Sequence, residues 1–169
     1  MSDAMKSLLF AAAIGVVCSL LLTAASSGLK AFQQENALVD RQRNVLKSVG
    51  AIDPERRYRS EEIKDLFASA IKDIRVDANG RVLAAEAVSP SGLPLYLYTR
   101  DGQVQSYIVP VDSRGLWGRI YGYLASEKAG RTVAGFSVYQ HAETPGLGGE
   151  IEKPWFQQNF VGKQIADAK

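Results

Sequence analysis

The sequence predicts an α+β protein: an N-terminal single transmembrane helix, then an antiparallel sheet packed with helices. Three observations carry that expectation. An uncharged apolar run opens the chain. A one-faced helical pattern follows a polar break. The apolar period then switches to two between glycine-containing turn dipeptides.

The apolar run comes first. No charge lies between Lys6 and Lys30, and Leu8 to Ala25, LLFAAAIGVVCSLLLTAA, is almost wholly apolar or small. With Ser7 and Ser26 to Gly28 at its edges, it reaches the roughly 20 residues that a helix needs to cross a bilayer core. Two other readings fit the same residues: a cleaved signal peptide with Thr23-Ala24-Ala25 as its exit, and a buried core helix. A lipoprotein signal fits poorly, because Val17 stands before Cys18 where a small residue belongs. Lys6 and the α-amino group on one side face Lys30, Arg41, Arg43 and Lys47 on the other. That count does not fix the orientation, since a long folded domain translocates largely regardless of its charge.

Residues 32–49 keep helical spacing through Leu38, Val45, Leu46 and Val49, with Gly50 positioned as a C-cap. The predicted organisation is therefore a tail and transmembrane helix over 1–29, a helical stalk over 30–59 and a globular domain over 60–169. The polar stretch DPERRYR (53–59) ends the stalk, and Ser60 reads as an N-cap with Glu61 and Glu62 in the first turn. Ile63, Leu66, Phe67, Ala70, Ile71 and Ile74 then fall at i, i+3, i+4, i+7, i+8 and i+11, which predicts one amphipathic helix packed on a sheet.

Beyond it, Asn79-Gly80 and Asp101-Gly102 are strong hairpin-turn dipeptides. Arg81–Val88, Leu95–Thr99, Val104–Val109, Arg119–Leu124 and Thr132–Tyr139 read as strands, with Pro90, Gly92 and Pro94 breaking the run between the first two.

Composition narrows the chemistry. A net charge of +2, with no Lys/Arg run interleaved with aromatics, gives no footprint for nucleic acid. The single cysteine, Cys18, excludes an internal disulfide framework and a Cys-rich metal or iron–sulfur site. The single histidine, His141, excludes a His-cluster zinc site. No G-x-G-x-x-G opens a helix after a strand and no G-x-x-x-x-G-K occurs, so a nicotinamide or ATP site has no support. No G-x-S-x-G occurs either, and no catalytic residue is assigned.

The chemically suggestive stretch is HAETPGLGGE (141–150), directly after the last predicted strand. Pro145 fixes one φ, while Gly146, Gly148 and Gly149 permit dihedrals closed to other residues. Glycines also leave N–H groups uncovered, so a flat ring or a phosphate can approach. Leu147 offers an apolar contact, Thr144 a hydroxyl and Glu143 a carboxylate. A surface turn is the plain alternative, since Gly/Pro turns are common. On that reading His141 is a satisfied or solvated histidine, Glu150 and Glu152 decorate the approach to the next segment, and Trp155 and Phe156 beside Pro154 are core or lid.

Two blocks, GLWGRIYGYLA (115–125) and TVAGFSVYQHAETPGLGGEIEKPWFQQNFVGK (132–163), make a resemblance specific. They resemble the C-subunit family of bacterial sodium-translocating NADH:quinone oxidoreductases. That family lies within a wider FMN-binding domain family, which shares the E-T-P-G-x-G core and a later G-K and includes the G subunits of Rnf electron-transport complexes. The resemblance, with the N-terminal span and stalk, covers essentially the whole chain. It implies a flavoprotein with FMN held covalently by a phosphoester to a threonine in an S-G-A-T motif, and a flavin lined by Glu143, Thr144, Gly146, Leu147, Gly148 and Gly149. It implies an electron relay in a multi-subunit inner-membrane complex that oxidises NADH, reduces ubiquinone and pumps Na+. The implied partners are other integral-membrane and flavin or iron–sulfur subunits and membrane lipid, with the globular part in the periplasm. No S-G-A-T occurs in the 169 residues. In the family it lies several dozen residues beyond the equivalent of Gly162-Lys163, so the domain reads as incomplete at its C-terminus. A G-type Rnf subunit and a non-catalytic anchored binding or assembly module are the competing readings.

Overall fold

The first helix, α1, spans Asp3–Ser48. The computed structural model describes residues 2–83 and 92–165. The chain separates into two compact units, residues 1–38 and residues 39–169. In the first unit, the helix carries Leu8, Phe10, Leu20, Leu21 and Leu22 fully outward. Among the described residues this is the one helix long and apolar enough to cross a membrane.

The second unit begins inside the same helix, ten residues before its end, because there the apolar side chains acquire a core. Val39, Val45 and Leu46 are buried with Ile52, Ile63, Ile71, Ile108, Tyr123 and Ala125. The predicted stalk over 30–59 is thus divided, its later part being a structural member of the globular unit. The helix stops as its residues dictate: Gly50 adopts φ +66, its N–H reaches the Lys47 oxygen at 3.1 Å, and the Ala51 N–H reaches the Leu46 oxygen at 3.0 Å. That pair of bonds is a Schellman ending, which needs a residue without Cβ at the left-handed position.

Helix α2 covers Ser60–Ala70 and then gives way to strand β1, Ile71–Val76. The N-cap is Arg59, one residue before the expected Ser60, and its N–H is accepted by Glu62 Oε2 at 3.0 Å. The larger difference is at the other end. Ile71 and Ile74 belong to β1, not to the helix. Ile63 and Phe67 keep the helical side toward the core, while Leu66 is 36% exposed. The β-branched residues Ile71, Ile74 and Val76 favour extended backbone, and pairing with the next strand decides in its favour.

The remaining strands are β2 (Leu93–Arg100), β3 (Gln103–Arg114), β4 (Arg119–Glu127) and β5 (Val133–Gln140). All neighbours are antiparallel, and the sheet order is β1-β2-β3-β4-β5, a plain meander. The hairpin at Asp101-Gly102 forms as predicted, with φ +53 and +73 at its two central residues, the values a primed turn requires. Asn79-Gly80 also turns the chain, with Gly80 at φ +79, and leads to a single bridge between Val76 and Val82. The rest of the strand expected at Arg81–Val88 lies outside the described residues.

Two strands extend further than expected because prolines are tolerated inside them. Pro94 pairs with Arg75 of β1, but β3 meets β2 only from Tyr96 onward. Pro110 pairs with Tyr123 of β4, beyond the last β2 partner, Ile108. At both sites the strand has a neighbour on one side only, so a missing N–H disrupts no ladder.

The end of α1 lies on β5. A Cβ on Gly135 would collide with the main-chain oxygen of Ser48, and Ser137 Oγ donates to the Asn44 oxygen at 2.9 Å. An aromatic row, Phe67, Tyr96, Tyr123, Tyr139 and Tyr121, continues along the sheet, with ring centroids 5.2–6.3 Å apart.

Candidate functional site

Strand β5 delivers the chain into the glycine loop. The first feature is a turn made by Thr144-Pro145-Gly146-Leu147. The Thr144 oxygen accepts the Leu147 N–H at 3.1 Å, and Gly146 sits at φ +75. Proline at the second position and a positive-φ glycine at the third is the residue order of a type II turn. The same Thr144 oxygen accepts the Gly149 N–H at 2.9 Å and so closes the loop onto a 3-10 turn at Gly148–Glu152. A short helix, Pro154–Gln157, and a second 3-10 turn, Gln158–Phe160, follow.

The candidate residues occupy distinct positions. Thr144, Gly146 and Leu147 are exposed, Leu147 at 73%; Glu143 and Gly148 are half-buried; Gly149 is buried. The glycines are also explained by the loop itself. Gly146 supplies the turn, Gly149 lies against Thr144 backbone, and Gly148 leaves room for the Glu143 side chain. A Cβ at Gly148 would stand 2.9 Å from Glu143 Oε2 and 3.0 Å from Glu143 Cβ.

His141 is satisfied rather than free. Its Nδ1 accepts the Glu143 N–H at 3.1 Å, and its Nε2 faces Glu152 Oε2 at 3.5 Å. Phe160 packs on Phe136 of β5 and Phe156 on Phe160, while Trp155, largely exposed, meets only Phe156 among the described aromatic rings. The G-K dipeptide, Gly162-Lys163, follows the β5 edge: the Gly162 N–H and the Lys163 oxygen both bond Val133 backbone at 2.9 Å.

What the sequence did not single out is the partner of the loop. The β3–β4 turn, Gly115-Leu116-Trp117-Gly118, is closed by the Gly115 N–H to the Gly118 oxygen at 2.7 Å. Its tip exposes Leu116 at 82% and Trp117 at 69%. Large apolar groups bared at a hairpin tip mark a contact surface. The signal was in the sequence, as two bulky apolar residues held between turn glycines. Glu143 joins this tip to the glycine loop: its Oε1 accepts the Trp117 N–H at 3.1 Å. Ala142 packs against Gly118. A cavity of about 340 Å³ lies along the tip, lined by Arg114 to Arg119. A larger cavity, about 720 Å³, is lined by Arg43, Lys47, Arg57 and Pro154 among others, and no residue of 141–149 reaches it.

No cluster of His, Cys, Asp or Glu suited to a metal occurs among the described residues.

Residues 115–169 match the model of the FMN-binding domain. The match begins at the exposed hairpin tip and includes the glycine loop. A planar flavin needs an apolar face and hydrogen-bond donors at its edge. Leu116, Trp117 and Leu147 are exposed apolar side chains and the turn at Gly146 is exposed backbone, groups of the chemistry that the ring of FMN, the cofactor this domain model names, requires. The chain is 34% identical to the C subunit of the Na(+)-translocating NADH-quinone reductase of Yersinia pestis, over 96% of this chain and 71% of the relative. Identity to the equivalent protein of Pseudomonas aeruginosa is also 34%, over 97% and 74%. Among solved structures, the C subunit of the same reductase from Parabacteroides distasonis aligns with TM-score 0.68 at 30% identity, covering 81% of this chain and 70% of that one. Shewanella oneidensis NqrC aligns with TM-score 0.66 at 27% identity, covering 80% and 73%. An apolar helix, an antiparallel meander and an FMN-binding domain that opens at the Trp117 tip are combined in one chain, and this chain belongs to the C-subunit family of the Na(+)-translocating NADH-quinone reductases.

Proposed function

We propose that the chain is an electron-relay subunit of an inner-membrane complex that oxidises NADH, reduces ubiquinone and exports Na+. The FMN is attached through a threonine phosphoester, as the family resemblance implies. The proposed partners are further integral-membrane and flavin or iron–sulfur subunits. The span at 8–26 crosses the membrane once and carries the domain on the periplasmic side.

The observation that carries this reading is that Glu143 joins the exposed Leu116-Trp117 tip to the glycine loop, which itself exposes Leu147. A bound FMN supplies reversible acceptance and donation of electrons. The chain's own residues do the rest. Trp117 and Leu147 offer faces for the ring. Thr144 Oγ1 and the Gly146 backbone offer polar contacts at its edge. Apolar side chains at Leu116, Trp117 and Leu147 would exclude water from a ring bound against them.

An indole stacked on a flavin quenches its emission, which gives the test. In the full-length flavin-loaded protein, Trp117→Ala should raise flavin fluorescence and Trp155→Ala should not. Unchanged emission in Trp117→Ala overturns the placement of the ring.

A further inference from the structure

We propose that Glu143 is a positioning residue that latches the Leu116-Trp117 tip to the glycine loop, and that Gly115 and Gly148 are glycines because the latch passes between them. The flavin part of this inference rests on the ring placement proposed above; the latch itself does not.

The half-buried Glu143 side chain is bounded by Trp117, Gly115 and Gly148. Its Oε1 accepts the Trp117 N–H at 3.1 Å, across 26 residues of sequence. A Cβ on Gly115 would collide with that same oxygen and would also stand 2.9 Å from Ile120 Cδ1. On the opposite side, a Cβ on Gly148 would stand 2.9 Å from Oε2. Behind the side chain, the Glu143 N–H is held by His141 Nδ1 at 3.1 Å, so the backbone that aims the carboxylate is itself fixed. Among the described residues no cation pairs with the Glu143 carboxylate. Its structural use is therefore as a hydrogen-bond acceptor of a particular length.

That makes the requirement specific. Asp is one methylene short of the Trp117 N–H. Gln keeps both length and acceptor without the charge. Ala removes the acceptor and leaves the tip without its hydrogen bond to the loop, with Gly118 still against Ala142. The main-chain bond also fixes where the Trp117 Cα stands relative to Leu147, whichever rotamer the indole takes. In this arrangement Glu143 acts through Trp117 instead of lining the ring.

The experiment is amide hydrogen exchange on the full-length protein in detergent, read at residues 115–118. Glu143→Ala should speed exchange there by about tenfold, the loss of roughly one charge-assisted hydrogen bond. Glu143→Gln should remain near native. Gly148→Ala should shift exchange in the same direction as Glu143→Ala, because its methyl presses on the Glu143 side chain. Amides of β3 and β4 away from the tip serve as the folding control and should not change. Native exchange at Trp117 in Glu143→Ala overturns the latch, and so does a Glu143→Gln protein as fast as the Ala variant. Flavin emission is measured on the same samples. Faster exchange with a rise in emission supports latch and ring placement together. Faster exchange with unchanged emission supports the latch and counts against the ring placement alone.

Discussion

Ser137 of β5 donates its hydroxyl to the main-chain oxygen of Asn44 in α1 at 2.9 Å, and both residues are buried. Earlier on the same strand, Gly135 has no Cβ because the Ser48 oxygen takes that space. The end of α1 therefore meets the sheet backbone to backbone. Ser137→Ala should cost about 1–2 kcal/mol, the value of a buried hydrogen bond with its acceptor left behind. Gly135→Ala should cost about 3 kcal/mol or more, since neither strand nor helix end can yield without losing its own bonds. Denaturant titration measures both. A Gly135→Ala protein as stable as native would mean that α1 does not rest on β5.

The α2 helix separates two residues that the sequence treats alike. Ile63 is fully buried and Leu66 is 36% exposed. Ile63→Ala should cost about 3–4 kcal/mol, as a cavity in a packed core does, and Leu66→Ala less than about 1 kcal/mol. Equal losses in a melting comparison would contradict this placement.

That contrast shows what was legible. The turns at Asp101-Gly102 and Gly50 were readable because local dihedrals demand particular residues. The helix-to-strand change at Ala70-Ile71 was not, because Ile71 and Ile74 satisfy helical spacing by coincidence, and the deciding term is pairing with Tyr98 and Leu95, more than 20 residues away. The same limit applies at the candidate site. The glycine loop announces itself through Pro145 and Gly146. Its dependence on Gly115 and Trp117 does not, because that link is a single long-range hydrogen bond.

Tyr123 gives a pH prediction. Its ring is 3% exposed, and burial, with the neighbouring Tyr96 and Tyr139 adding to it, pushes its phenol well above the ordinary 10.0. Tyr96 is raised too, first by burial. An acid whose folded value is raised keeps its proton while the unfolded chain loses one. Stability is therefore constant below the unfolded value and declines as pH rises past about 10. Tyr123→Phe should lessen that decline. Urea midpoints at neutral pH and at about pH 11 check this. A decline equally steep in Tyr123→Phe would assign the alkaline loss elsewhere.

The apolar run predicts accessibility. With residues 8–26 as a single span and the domain in the periplasm, protease added to intact spheroplasts should digest the domain, and inverted vesicles should protect it. The opposite pattern would reverse the orientation and leave the span in place.

Gly146 and Gly148 lie two residues apart in the loop, and the structure gives them different reasons to be glycine. Gly146 is at φ +75 with nothing within 4 Å of where a Cβ would stand. Alanine there meets no atom but must hold a left-handed conformation, which costs roughly 1–2 kcal/mol. Gly148 has ordinary φ, but its Cβ would press on Glu143 Cβ at 3.0 Å and Oε2 at 2.9 Å. Alanine there is conformationally acceptable and sterically disruptive. Gly146→Ala should therefore lower the melting temperature modestly while leaving the environment of Trp117 unchanged. Gly148→Ala should do the reverse: it should change the fluorescence anisotropy of Trp117, read in a Trp155→Phe background, with little loss of melting temperature. The carboxylate can swing out without unfolding the sheet, so the damage stays at the tip. If Gly148→Ala destabilises the protein as much as Gly146→Ala and leaves Trp117 unaltered, the glycines are plain turn residues, and the loop has no steric link to the hairpin.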